Sequence, residues 1–411
     1  MEWLNNAQRR TVLAKVLKTV ETKLGTANQS TPNSATLREE YEADILGCAT
    51  GDAFEQAMNR MLQKLGTSHT GFFHESKPRA AGRIAIAATF TKATTTDGTR
   101  WVFQDVHPGG VAARAGIRPG DILLAVEDKE LVPPDATAFM LGHAYTLSIR
   151  KADGSTVRPT LQIPHSKEKN RPLVIPDQVV TASKLAPGMG VIRVSMFPGI
   201  LGMDVARDIS RAVADLQCRR LIFDLRGNTG GGIGCLRLMS HLCPDSRGVG
   251  YSVGRSLMQH GYTKERLPRF DRIPLSKLGV IPLIVRFSVA GRSVAVFSEG
   301  LGAQEHHGSV VLLANEHSAS SAEMVAAFAS EYRLATLVGM KTAGKLVGAS
   351  SFKVGFGYRV ALPVATYFTW QGTNLEGRGV LPHIEEPLST DALWRGEDNQ
   401  LLRAMAVANT N

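Results

Sequence analysis

Nowhere among the 411 residues is there an apolar run of about eighteen, so no segment reads as an ordinary membrane-spanning helix. Cysteine is scarce. Cys48, Cys218, Cys235 and Cys243 form no C-x-x-C pair and show no zinc-ligand spacing, which argues against a disulfide framework and a metal site. The amino-terminal stretch MEWLNNAQRRTVLAKVLKTVETKL lacks the long apolar core and small-residue cleavage site of a secretory leader. The expected location is therefore the cytoplasm, unless a leader has been removed. Neither G-x-x-x-x-G-K-[ST] nor G-x-G-x-x-G occurs, so a nucleotide-phosphate cradle is not expected. Internal repeats are also missing. The charge of +10, from 47 basic and 37 acidic residues, is dispersed along the chain; it reads as a solvated basic surface, and no nucleic-acid partner is expected. Apolar residues at 43% and charged residues at 20% fit a soluble globular protein with room for two or three domains.

The most informative stretch is residues 309–350, SVVLLANEHSASSAEMVAAFASEYRLATLVGMKTAGKLVGAS. Val310 to Ala314 reads as a buried strand, and Val325, Phe328, Ala329 and Tyr332 share one face of a following helix. Ala335 to Val338 reads as a second strand, giving a βαβ unit whose polar turns lie at the carboxyl ends of parallel strands, the usual ligand side of such sheets. Ser320 falls in the first turn and Lys345 just beyond the second strand, 345 − 320 = 25 residues later. A serine hydroxyl becomes a useful nucleophile only with a base beside it, and a lysine can serve if burial keeps it neutral. Ser320 and Glu323 also fit the Ser-x-x-Glu capping box, a purely structural reading. A second segment, LIFDLRGNTGGG at 221–232, reads as a buried strand ending in Asp224, Arg226 and a glycine cluster whose backbone can approach a ligand closely.

Together SASSAE, GK and DLRGNTGG resemble the signatures of the carboxy-terminal processing, or tail-specific, serine peptidases, with some features of the tricorn-type branch. The resemblance implies that Ser320 is the nucleophile and Lys345 its base. It also implies an oxyanion hole built from the N–H of Ser321 and that of Gly230 or Gly231. No cofactor or metal is implied. LGTSHTGFF at 65–73 resembles the tricorn-type element in which the histidine is the base, so His69 is a second candidate, as is Glu376 within NLEGRGVLPHIE. Glu331, on the helix after Ser320, is a candidate for orienting Lys345, with a surface charge as the alternative.

Along the chain, residues 1–80 are expected to be helical, with Val12, Val16, Leu17 and Val20 on one face and Phe54, Met58, Met61 and Leu62 on another. Residues 81–165 resemble an inserted PDZ domain, on the strength of an alternating strand at Trp101 to Val106 and the string AARAGIRPGD. Such domains add an extended peptide to a sheet edge and hold its carboxylate on backbone N–H groups. The candidate peptide-binding loop is Gly82, Arg83, Ile84, Ala85 and Ile86, with Arg83 a further carboxylate ligand. A linker at 165–177 precedes a catalytic core to 389, and 390–411 reads as a short helix with a frayed end. Residues 244–308 look like a basic, partly irregular excursion to which the sequence gives no role.

The expected fold class is α/β, with a mainly parallel sheet and helices of the ClpP/crotonase-like kind, a helical amino-terminal segment and a β-rich PDZ insert. The expected function is a serine endopeptidase that receives polypeptide substrates, including carboxy-terminal tails, from its PDZ domain. The alternatives are a tricorn-like peptidase that uses His69 and Glu376 with Ser320, and a non-catalytic scaffold. The sequence leaves oligomeric state open.

Overall fold

The computed structural model describes residues 3–25, 32–76, 79–136, 138–165, 174–199, 202–274, 281, 285, 293–302 and 308–410. Most of the sequence-read linker at 165–177 and parts of 244–308 lie outside these. Helix α1 (Asn6–Lys23) opens with a capping box between Asn5 and Gln8, and Asn33 and Thr50 cap α2 (Ser34–Gly47) and α3 (Gly51–Gln63). Their apolar faces bury Val16, Leu17, Phe54 and Met58 against Phe72, Val354, Tyr358 and Val360. The helical segment stops at Gln63, short of the expected boundary at 80. Beyond it Gly71–His74 forms β1, whose alternating burial suits a sheet.

The PDZ sheet follows, with β2 (Ala88–Thr95), β3 (Gly98–Val106), β4 (Ile122–Val126), β5 (Ala144–Arg150) and β6 (Thr160–Gln162). Their spatial order is β6-β5-β4-β3-β2, which puts β2 at an edge.

The central sheet contains β7 (Val180–Ala186), β8 (Met189–Val194) and β9 (Arg220–Asp224), with α4 (Met203–Leu216) crossing from β8 to β9. After α5 (Cys235–Ser240) the chain makes β10 (Gly248–Gly254) and β11 (Val294–Phe297) in a second sheet. It then returns as β12 (Val310–Ala314), α6 (Ser321–Glu331) and β13 (Thr336–Gly339). The hairpin β14 (Val347–Gly355) and β15 (Tyr358–Thr369), the short β16 (Ile384–Glu385) and α7 (Asn399–Thr410) complete the chain. The central order is β7-β8-β9-β12-β13-β16, parallel throughout except for β7. β1 joins the second sheet beside β15.

Alternation along the central strands fills both faces. Leu221, Phe223 and Leu312 pack with α4, α5 and α6, while Ile222, Val311 and Leu313 pack under α7 through Ala404, Val407 and Ala408. The carboxyl-terminal stretch is therefore a covering helix, in place of a frayed end. Both faces being buried explains why these strands read as continuous apolar runs. The parallel strands end at Val194, Asp224, Ala314 and Gly339, and the loops beyond them carry the candidate chemistry.

Candidate active site

Ser320 lies where β12 turns into α6, with φ 56° and ψ −119°, a conformation rarely adopted by a residue bearing a Cβ. The surrounding structure holds it there. Ser318 Oγ donates to Leu225 O at 2.7 Å, Ala319 N–H to Asn228 O at 2.9 Å, and Ser320 N–H lies 3.1 Å from Lys345 O and 3.0 Å from Glu323 Oε2. Gly230, at φ +83°, packs directly on this turn: a Cβ there would sit 2.5 Å from Ser320 Cβ and 2.6 Å from Ala319 O.

The glycine loop also distinguishes between the two proposed oxyanion donors. Gly230 N–H is already committed to Asn228 Oδ1 at 2.8 Å. Gly231 N–H and Ser321 N–H donate to no partner among the described residues; Ser321 is the first residue of α6, where helices leave their N–H groups unpaired. Ser321 Oγ, donating within 3.0 Å of Gly231 O and 3.2 Å of Gly232 O, joins the helix start to the glycine loop.

Glu323 is the capping glutamate, and it does more than cap. Fully buried, its Oε1 accepts from Thr342 Oγ1 and Gly344 N–H, each at 2.7 Å, and its Oε2 from Lys345 N–H at 2.8 Å as well as from Ser320 N–H. One carboxylate thus ties the serine turn to the lysine segment. Burial pushes its pKa up, opposed by these hydrogen bonds.

Lys345 is solvent-accessible as a residue. Partial desolvation of its ammonium, then the Arg83 guanidinium, pull its pKa below that of a free lysine, while Glu323 and Glu376 pull it back. Among the described residues its Nζ makes no hydrogen bond, to Ser320 or to any other group.

His69 belongs to a chain of polar contacts. Its Nδ1 is 2.7 Å from Ser68 Oγ, which donates to Glu376 Oε2 at 3.0 Å, and Ser68 N–H donates to Glu376 Oε1 at 2.6 Å. Glu376 Oε2 also accepts Leu346 N–H at 2.9 Å. Leu346 follows the residue whose carbonyl holds Ser320, so the histidine chain and the serine turn meet at residues 345 and 346. Sequence reading missed Ser68; its adjacency to His69 was the available signal.

One sequence expectation comes out differently. Glu331 lies at the far end of α6, where its carboxyl contacts Thr369 and faces Lys264; Lys345 is not among its neighbours. Within the candidate peptide-binding loop, Gly82–Ala85 forms a single helical turn, and Ala85 and Ile86 are wholly buried in the PDZ core. His383, an exposed residue, accepts Leu337 N–H on its Nδ1 at 2.9 Å. Among the described residues, no group of three or more His, Cys, Asp or Glu side chains is placed to hold a metal.

The PDZ domain docks on the site through buried polar groups. Asp105 Oδ2 accepts from Thr89 Oγ1 at 2.6 Å and from Asn315 Nδ2 at 2.9 Å, and His107 Nε2 is 3.2 Å from Gly227 O. Behind them Arg226 is bound by Asp224 at 2.8 Å and by Asp398, just before α7, at 2.7 Å. Burial raises the Asp224 carboxyl, but Arg226 and Arg193 outweigh it and hold its pKa well below the usual range.

Residues 188–386 match the model of peptidase family S41, and residues 102–150 that of a PDZ domain. A carboxyl-terminal-processing protease of Synechocystis sp. is 28% identical over 292 residues, covering 68% of this chain and 58% of the relative. A tricorn protease homolog of Streptomyces coelicolor is 24% identical over 387 residues, covering 87% of this chain and 28% of the relative. The chain therefore spans only part of the length of these relatives. The structure of mature CPAF complexed with lactacystin superposes with a TM-score of 0.61 at 14% identity, covering 98% of each chain, which shows a shared fold. The parallel core and the inserted module thus coincide with a peptidase family S41 domain over residues 188–386 and a PDZ domain over residues 102–150.

Proposed function

We propose that the chain is a serine peptidase acting on unfolded polypeptides and their carboxyl-terminal tails, with Ser320 as nucleophile and His69 as general base. The observation that carries this reading is the Glu376–Ser68–His69 chain, anchored at Leu346 beside the turn that holds Ser320. An imidazole is neutral near physiological pH without special burial, and a polar group on one ring nitrogen fixes the tautomer, leaving the other to accept a proton. His69 takes the Ser320 hydroxyl proton as Oγ attacks the scissile carbonyl carbon. The oxyanion is met by the N–H groups of Ser321 and Gly231. The protonated imidazole then gives its proton to the departing amine, the C–N bond breaks, and water hydrolyses the acyl-enzyme by the same route.

A second reading keeps Lys345 as the base, and its lowered pKa favours that reading. Against it stand the accessibility of the residue and the two carboxylates that stabilise its charged form. The carboxyl-terminal substrate class is supported by the PDZ domain and by the name of the Synechocystis relative. Incubation with casein tests the function: cleavage by the parent chain and none by Ser320→Ala supports it, and equal cleavage by both, or by neither, contradicts it.

A further inference from the structure

The edge of the PDZ sheet meets the nucleophile turn. β2 pairs with β3 on one side, and among the described residues no strand pairs with its other side. Phe90 on β2 is opposite Phe103 on β3. Phe103 directs both backbone groups away from β2, its N–H to Asp121 O at 2.8 Å and its C=O to Gly120 N–H at 2.8 Å. Phe90 and Phe103 are therefore a non-hydrogen-bonded pair, and Phe90 turns its own N–H and C=O to the open edge. By the period of two, Lys92 and Thr94 do the same.

That open carbonyl already has a partner. Phe90 O lies 3.0 Å from His317 Nε2, and since a carbonyl can only accept, Nε2 carries the proton. His317 stands three positions before Ser320, and its backbone N–H donates to Asn315 Oδ1 at 3.1 Å. Asn315 is the residue that donates to Asp105 on β3. The PDZ domain thus grips the nucleophile turn at two points, one of them the rung that an added strand requires.

We propose that His317 is a latch: a polypeptide adding to β2 displaces its imidazole from Phe90, so that capture of a peptide is linked to the turn carrying Ser320. The proposal rests on the polypeptide-peptidase reading for its ligand class. A strand added beside β2 takes both the N–H and the C=O of each outward-facing residue, so peptide and His317 compete for one carbonyl. By linkage, whatever the imidazole contributes to the closed arrangement is subtracted from peptide affinity.

The test measures binding in a Ser320→Ala background, where no cleavage intervenes, by fluorescence anisotropy with a pool of fluorescein-labelled decapeptides of varied sequence and free carboxyl ends. Losing one neutral hydrogen bond corresponds to about fivefold, so adding His317→Ala is expected to tighten binding by about that factor. His317→Gln, which keeps a donor, is expected to remain close to the background chain. As a readout independent of any change at 317, saturating peptide is expected to shift the His317 imidazole nitrogen resonances. Unchanged or weaker binding in His317→Ala, imidazole signals that ignore the peptide, or no binding by any variant each overturns the latch. Because the assay needs no turnover, failure to cleave casein would overturn the peptidase reading and leave this result interpretable.

Discussion

Glu323 and Lys345 are joined through the lysine backbone: Glu323 Oε2 accepts the Lys345 N–H at 2.8 Å while the same oxygen accepts the N–H of Ser320 at 3.0 Å. The two strand-end turns that carry the candidate nucleophile and the lysine share this anion. Glu323→Gln keeps the shape but replaces one acceptor by an amide that faces donors. A buried donor left without a partner costs about 1–3 kcal/mol, so the variant is predicted to lose that much stability and at least about tenfold in kcat. Urea unfolding and steady-state kinetics on a peptide ester check both; wild-type kcat would show that the clamp does not position the site.

Gly230 admits no side chain. Gly230→Ala puts a methyl group 2.5 Å from Ser320 Cβ at a φ of +83°, so either the glycine loop or the serine turn must move. Displacing an oxyanion donor typically costs about 100–1,000-fold, and kcat is predicted to fall in that range. Gly261→Ala, whose Cβ meets nothing within 4 Å although its φ is also positive, controls for backbone strain alone. Equal losses in the two variants would refute steric crowding as the cause.

Acid sensitivity is predicted at the PDZ interface. Burial, then Arg193, hold His107 down at about 4 from an ordinary 6.5, while Asp105 and Asp224 pull the other way. Above pH 6.5 both folded and unfolded chains carry this imidazole neutral; as pH falls from 6.5 to about 4 only the unfolded chain takes up the proton, so stability falls across that window. Asp105, held low by Arg193, Arg226 and His107 against its burial, titrates below the ordinary carboxylate value of 3.8 and adds loss only at more acid pH. Denaturation midpoints for the parent and His107→Gln, compared between neutral pH and pH 5, should show a smaller acid loss in the variant.

Asp398 couples the carboxyl-terminal helix to the strand that leads into the glycine loop. Its carboxylate binds Arg226, whose side chain is 5% exposed, and is itself 34% exposed. Breaking a fully buried pair costs about 3–5 kcal/mol, and the partial exposure here lowers the expectation for Asp398→Ala to about 2 kcal/mol. Unfolding by denaturant measures it, and a change under about 0.5 kcal/mol would mean that Asp224 alone satisfies Arg226.

Much of the architecture was legible because the central strands are buried on both faces and therefore read as apolar runs, as with LIFD at 221–224 and VVLLA at 310–314. Ser320 and the glycine loop stood out as polar and glycine-rich turns at strand ends, and His69 through the resemblance of LGTSHTGFF to the tricorn-type element. What stayed hidden was pairing across long separations. Ser68 gains its place through Glu376, 376 − 68 = 308 residues away, and no local pattern signals that. Glu323 looked like a local cap because its contact with Ser320 is local and those with Thr342, Gly344 and Lys345 are not. Glu331 was misplaced by ignoring helix length: eleven residues beyond Ser320, at ~1.5 Å each, carry it ~16 Å away. The turn at Gly82–Ala85 took a helical form because Ala85 and Ile86 are drawn into the PDZ core.

The most direct measurement is the rate at which a fluorophosphonate probe labels the chain, with the adduct located by mass spectrometry and compared among the parent, His69→Ala and Lys345→Ala. Labelling is predicted at Ser320, slowed by at least about 100-fold in His69→Ala and by less than about tenfold in Lys345→Ala. Labelling that survives loss of His69 but vanishes with loss of Lys345, or an adduct on any residue other than Ser320, would contradict the proposed Ser320 and His69 chemistry.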